Sequence, residues 1–324
     1  MDGGRAAAHP RLVMLVLNAL APTFLIIALG AWMQKIGFVS PGFLREANRI
    51  TYWLGLPALL FSQLVSSLHD AAGAESLLVA MFLTTAAMTL LGYLVGWMLR
   101  VPGATMGTFV QGAFRGNLAF VGLPIVFALP DVPLAGSNLT LHEAAVIAVA
   151  PTMVLYNVAG VVVLTISQHS FGTRMIWPVV KQLAVTPPLL ATLAGIGFVA
   201  MSWKLPFAIS RGLEALGEMA LPLGLLGVGG SIVTAKLNGA LRVPLGSALL
   251  KSWASALVGL LASRMCGLDR PEEVLVMILA AAPTAIISYS MALEMKGDGE
   301  LASTTIALSV VASLVSLATI VSFF

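Results

Sequence analysis

The chain has 324 residues, of which 59% are hydrophobic and 10% charged, with a formal net charge of +3 and a mean hydropathy of +0.98. A soluble domain carries roughly a quarter of its residues as charges to solvate its surface, so this composition excludes a water-soluble fold and makes a lipid bilayer the solvent. The basic residues are scattered between apolar blocks, which argues against nucleic acid as a partner, and the single cysteine, Cys266, excludes an internal disulfide framework and a cysteine-based metal site.

Apolar windows bounded by charged, Gly or Pro clusters predict ten membrane-spanning helices, at 12–34, 43–67, 76–99, 106–129, 141–167, 177–201, 207–234, 243–265, 272–295 and 300–323. The first follows Arg5 and Arg11 and runs on through Pro22 to Trp32, the length of a spanning helix rather than of a cleaved signal. The second and seventh begin with amphipathic lead-in segments, marked by Arg45, Glu46 and Arg49 and by Arg211, Glu214 and Glu218. The fourth contains Arg115 followed by Gly116-Asn117-Leu118-Ala119-Phe120-Val121-Gly122-Leu123-Pro124. His142 and Glu143 are expected to cap the outer end of the fifth, where Pro151, Tyr156 and Asn157 follow. Lys251 lies within the eighth, Cys266 at its end, and Pro283, Thr284, Ser288 and Tyr289 in the ninth. No connection exceeds about a dozen residues, so the whole of 1–324 is expected to form a single membrane domain.

The prolines repeat. Pro22 matches the Pro187-Pro188 pair, Pro57 matches Pro222, and Pro124 matches Pro283, each about 160 to 165 residues apart. Five helices per half is an odd number, so halves at approximately 12–167 and 177–323 must enter the membrane in opposite directions, as an inverted repeat. A proline within a span frees the carbonyl four residues back, at Phe120 and Leu279, and lipid tolerates freed carbonyls only in a broken helix lining a protected cavity. The fourth and ninth helices are therefore expected to be broken and to cross, aiming half-helix N-termini at a shared site. Lys and Arg in the loops place both termini outside, with Lys35, Arg45, Arg49, Arg100, Arg174, Lys181, Lys236, Arg242 and Lys296 on the cytoplasmic side.

At these segments the sequence resembles the auxin efflux carrier family, which spans plant carriers and bacterial malonate and malate permease-like proteins. The resemblance rests on Asn117 to Pro124 and on Pro283-Thr284-Ala285 through Ser288-Tyr289 with Gly297-Asp298 and Glu300-Leu301-Ala302. Leu56-Pro57 with Phe61, and Leu221-Pro222 with Gly229-Gly230-Ser231, fit as well. It implies ten helices in two inverted five-helix repeats, a scaffold and a moving part that work as an elevator, and a homodimer in the cytoplasmic, or inner, membrane. The short stretch from Gln168 to Arg174 replaces the long loop of plant members, which places the chain with the compact bacterial ones and counts against auxin as cargo.

Asn117 is the first candidate for holding a carboxylate, since an amide offers donors while also capping unwound backbone. Arg115 carries a fork of donors matched to a carboxylate, but it equally suits snorkelling to the interface; Lys251 shares the ambiguity, with a structural role favoured. Gly116, Gly122, Pro124 and Pro283 shape the site; Thr284, Ser288 and Tyr289 offer hydroxyls; Pro57, Pro222, Ser231 and Asn157 are secondary candidates, Asn157 chiefly as helix-to-helix glue. No Asp or Glu stands clearly in the middle of a span, which argues against a cation or proton antiporter and leaves a coupling proton or sodium ion open. With no His-Glu-x-x-His pattern, no metal or cofactor and no enzymatic activity are expected. The predicted function is a carrier of a small mono- or dicarboxylate, the alternatives being sodium-coupled symport of a larger amphipathic acid or export of an auxin-like weak acid.

Overall fold

The computed structural model describes residues 25–67, 74–135, 138–168, 184–234 and 241–322, with isolated positions among 14–22 and 177–181. Arg5, Arg11, Arg174, Lys236 and the side chain of Ser231 lie outside what is described. The first half of the chain forms α1 (Leu25–Lys35), α2 (Pro41–Ile50), α3 (Leu56–Ser67), α4 (Glu75–Met98), α5 (Gly103–Phe114), α6 (Leu123–Phe127) and α7 (Leu141–Ser167). The second forms α8 (Pro187–Ala200), α9 (Phe207–Glu218), α10 (Ala220–Thr234), α11 (Arg242–Leu249), α12 (Ser255–Met265), α13 (Arg270–Ala281), α14 (Ile287–Glu294) and α15 (Gly299–Val321). Wider π-helical turns at Thr51–Gly55, Leu118–Gly122 and Leu250–Ala254 lead into α3, α6 and α12.

Local chemistry explains the helix starts. Ser40 Oγ accepts the Phe43 N–H at 3.0 Å and Pro41 takes the first position of α2, where no donor is needed. The polar face of α2 carries the exposed Arg49–Glu46 pair at 3.3 Å while Leu44, Ala47 and Asn48 are buried, as expected of an amphipathic lead-in. α7 opens on a capping box between Thr140 and Glu143, and α13 on one between Asp269 and Glu272. His142 serves the adjoining loop instead, its Nε2 at 3.1 Å from the Leu129 carbonyl oxygen and its backbone N–H donating to Asp131. Cys266 closes α12 as its C-terminal cap.

Among the described residues, five helical stretches are long and apolar enough to cross a membrane: Glu75–Met98, Leu141–Ser167, Phe207–Gly230, Arg242–Met265 and Gly299–Val321. The other expected spans do not form such stretches among the described residues. Those at 106–129 and 272–295 are interrupted, that at 43–67 carries its charged lead-in, and those at 12–34 and 177–201 run partly through residues outside the described set.

Small residues set the closest approaches. A methyl group added at Gly30 of α1 would strike the Leu226 carbonyl of α10, and one at Gly229 of α10 would strike the Ile27 carbonyl of α1, so the two backbones meet at reciprocal glycines. Gly217 of α9 likewise lies against the backbone of Leu59, where an added Cβ would stand 2.9 Å from its Cα. The main buried cluster joins α4, α5, α7, α12 and α13 around Phe109, Phe114, Val163 and Ile278, and so packs the two interrupted helices into the core.

Candidate functional site

The site is built where α5 and α13 stop. α5 ends at Phe114 because Arg115 turns extended (φ −81°, ψ 102°) and Asn117 also leaves helical geometry (φ −82°, ψ 73°). α13 ends at Ala281 because Ala282 precedes Pro283 and takes the extended conformation (φ −51°, ψ 138°) that a following proline ring favours. The two unwound segments lie antiparallel and pair: the Asn117 N–H donates to the Pro283 carbonyl at 2.8 Å and the Ala285 N–H to the Arg115 carbonyl at 2.9 Å, around Gly116 and Thr284. Each break thus satisfies the backbone of the other, as a non-helical segment in an apolar interior must.

Side chains of neighbouring helices take up the carbonyls that the breaks release. Thr284 Oγ1 donates to Gly112 at 2.8 Å, Ser255 Oγ to Ala113 at 3.4 Å, Ser313 Oγ to Ala281 at 2.8 Å, and Lys251 Nζ to Ala280. Ser309 Oγ accepts the Thr284 N–H at 2.9 Å. Two of these hydroxyls, Ser309 and Ser313, come from one face of α15, on which Ser316 is buried as well.

Beside the paired breaks lies a cavity of about 40 Å³. Its polar lining comprises Thr51, Arg115, Asn117, Tyr156, Asn157 and Ser290, and its apolar walls include Leu56, Phe120, Leu221 and Ile286. Arg115 is 2% exposed, so it does not snorkel to an interface. Its guanidinium donates to the Tyr156 carbonyl at 3.4 Å, to Met291 Sδ at 2.8 Å and to Asn157 Oδ1. No described carboxylate lies within ion-pair distance of it. Asn157 in turn donates to Thr192 Oγ1 at 3.3 Å, so one side chain both orients the guanidinium and ties α7 to α8.

Of the residues singled out in the sequence, Arg115, Gly116, Asn117 and Asn157 line this cavity. The Asn117 side chain makes no hydrogen bond among the described residues and remains available to a ligand. Pro283 and Thr284 hold the backbone pairing instead, and the Thr284 hydroxyl is engaged by Gly112. Gly122 packs against Leu279, where an added Cβ would stand 2.9 Å from Leu279 Cδ2, and Pro124 sits in the first turn of α6. Ser288 Oγ is buried without a partner among the described residues, outside the cavity lining. Pro57 and Pro222 do not line the cavity, although their neighbours Leu56 and Leu221 form part of its wall.

Tyr289 faces the other way, onto an open vestibule of about 590 Å³ rimmed by Arg45, Lys296, Asp298 and Glu300. α14 separates the two spaces, with Ile287 and Ser290 on the cavity and Tyr289 and Leu293 on the vestibule. A hydrogen bond of 2.7 Å from Ser290 Oγ to Asn48 Oδ1 fastens α14 to α2. Thr51, Ser290 and Asn48 escape sequence reasoning because single hydroxyls and amides near helix ends are commonplace. Their signal is only that they fall on the helix faces turned toward the breaks.

Residues 15–321 match the family described as Membrane transport protein. A protein of Rhizobium meliloti (strain 1021) named "Putative malonate transporter" is 29% identical over 208 residues, a stretch that covers 61% of this chain and 59% of that protein.

Proposed function

Because the chain belongs to the membrane transport protein family, that of the auxin efflux carriers, we propose that it is a secondary carrier for a small organic anion, with a malonate-like dicarboxylate as its first candidate cargo. One observation carries the anion assignment: the Arg115 guanidinium lines a cavity, is withdrawn from water and has no carboxylate to balance it among the described residues. A buried charge without a counter-charge is costly, and an anionic cargo that accepts two parallel hydrogen bonds from the fork removes that cost. The Asn117 amide adds donors beside it, and the helical stretches that begin at Leu118 and Ile287 open onto the same cavity with their partially positive ends.

The size of the cavity favours small cargo. A water needs about 10 to 15 Å³ on this measure, so the space of about 40 Å³ suits a compact carboxylate and not an indole ring or a larger amphipathic acid. In this reading ten helices form two inverted five-helix repeats, the paired breaks travel as part of an elevator, and the carrier works as a homodimer in the cytoplasmic membrane with both termini outside.

The test is uptake of radiolabelled malonate, malate and indole-3-acetate into proteoliposomes holding the purified protein. Saturable malonate uptake, competed by malate and not by indole-3-acetate, is the expected result, and Asn117→Ala is expected to abolish it while the protein stays folded. A substrate-independent conductance, or Asn117→Ala protein with unaltered malonate affinity, would count against the assignment.

A further inference from the structure

The buried positive charge at the breaks is not confined to Arg115. Lys251 lies on the π-helical turn Leu250–Ala254, is 0% exposed, and donates its ammonium hydrogen bond to the Ala280 carbonyl in the last turn of α13. It also abuts the other break: a methyl group added at Gly116 would stand 3.1 Å from Lys251 Nζ. The charged side chains buried among the described residues are Arg115, Lys251 and Glu272. Glu272 is engaged in the capping box at the opposite end of α13, accepting the Asp269 N–H at 2.9 Å. What faces the ammonium is therefore the C-terminal end of α13, whose last carbonyls carry partial negative charge.

In carriers built on broken helices, half-helix C-termini and unwound carbonyls are where a coupling sodium ion binds. We propose that the Lys251 ammonium is a cation built into that place, so that this carrier moves its anion without co-transported sodium. The acceptors around the breaks support this directly. Ala280 is held by Lys251, Ala281 by Ser313, Gly112 by Thr284 and Ala113 by Ser255, while the Arg115 and Pro283 carbonyls accept backbone N–H groups. A sodium ion would have to displace these donors and sit against a fixed like charge. Lys251 is not itself among the residues that line the cavity, although it abuts Gly116, which is, so its part is to hold the α13 terminus and to keep the site positive, not to bind cargo.

The inference rests on the carrier reading, and its test separates the two. Malonate uptake into proteoliposomes is measured with sodium on both sides, and again with choline replacing it. Wild-type protein is expected to take up malonate at the same rate in both media. Lys251→Met, which keeps the chain length and removes the charge, is expected to lose about tenfold or more in both, with Lys251→Arg restoring part of the rate. Wild-type uptake that requires sodium would overturn the inference and leave the carrier reading standing, as would Lys251→Met protein working at the wild-type rate. Absence of malonate uptake in either medium would instead count against malonate as the cargo. Should Lys251→Met fail to fold, the wild-type comparison alone decides.

Discussion

A guanidinium held away from water is informative because its geometry is so demanding. Arg115 spends donors on the Tyr156 carbonyl, Met291 Sδ and Asn157 Oδ1, partners that fix the plane of the fork without neutralising its charge. Lysine at this position would keep the charge and lose the planar fork. Arg115→Lys is therefore expected to lower malonate uptake efficiency about 10- to 100-fold, the equivalent of one good charge-assisted hydrogen bond, with melting in detergent largely kept. Initial rates over a range of malonate concentrations measure this, and equal efficiency in the two proteins would remove the fork from cargo binding. Arg115, Asn117 and Asn157 were legible in the sequence because a charge or an amide among apolar residues has to be accounted for. Thr51 was not, since its hydroxyl serves its own helix through the Ala47 carbonyl at 3.0 Å, as threonines in helices commonly do. Neither was Ser290, whose partner Asn48 is 242 residues away in the chain.

At the scale of elements, the sequence placed an interruption in each of 106–129 and 272–295, although the first opens at Arg115 to Asn117, ahead of the Phe120 carbonyl that Pro124 is expected to free. Glycine before asparagine, then glycine and proline, marks a helix that cannot continue in 106–129, and Pro283 marks the second. What it did not reveal is how the breaks are held. That task falls to α15, whose Ser309 and Ser313 each serve the α13 break while Ser252 of the neighbouring π-helical turn bonds to Ser313 at 3.0 Å. The spacing of Ser309, Ser313 and Ser316 puts them on one helical face, a polar stripe in an otherwise apolar span and hence a readable sign of a polar partner. Ser309→Ala removes the acceptor of the Thr284 N–H and leaves that donor buried and unpaired. A loss of about 1 to 3 kcal/mol is expected, read as a lower melting temperature of the purified carrier together with slower malonate uptake. Unchanged melting would mean that the paired breaks hold without α15.

For the molecule as a whole, the arrangement distinguishes two ends. At one, the loop after α6 meets the loop after α12, the Ala135 N–H donating to Asp269 Oδ2 at 2.7 Å. At the other, the turn after α14 packs on α5, the Asp298 N–H donating to Thr108 Oγ1 at 3.0 Å, and there the vestibule opens among Arg45, Lys296 and Glu300. Hydrophobicity alone reveals spans but not which end faces the cytoplasm. The positive-inside rule predicts it, and with Lys35, Arg45, Arg100 and Lys296 at the vestibule end the expectation is that this end faces inward. On that expectation the opposite end faces outward; it carries Cys266, the single cysteine of the chain, free and partly exposed just after α12. Cys266 can therefore report orientation with no engineered label site. A membrane-impermeant maleimide is expected to modify Cys266 in intact spheroplasts, to the same extent before and after the membrane is permeabilised, and Cys266→Ser to abolish the signal. Modification that appears only on permeabilisation would place the Cys266 end inside and the vestibule outside.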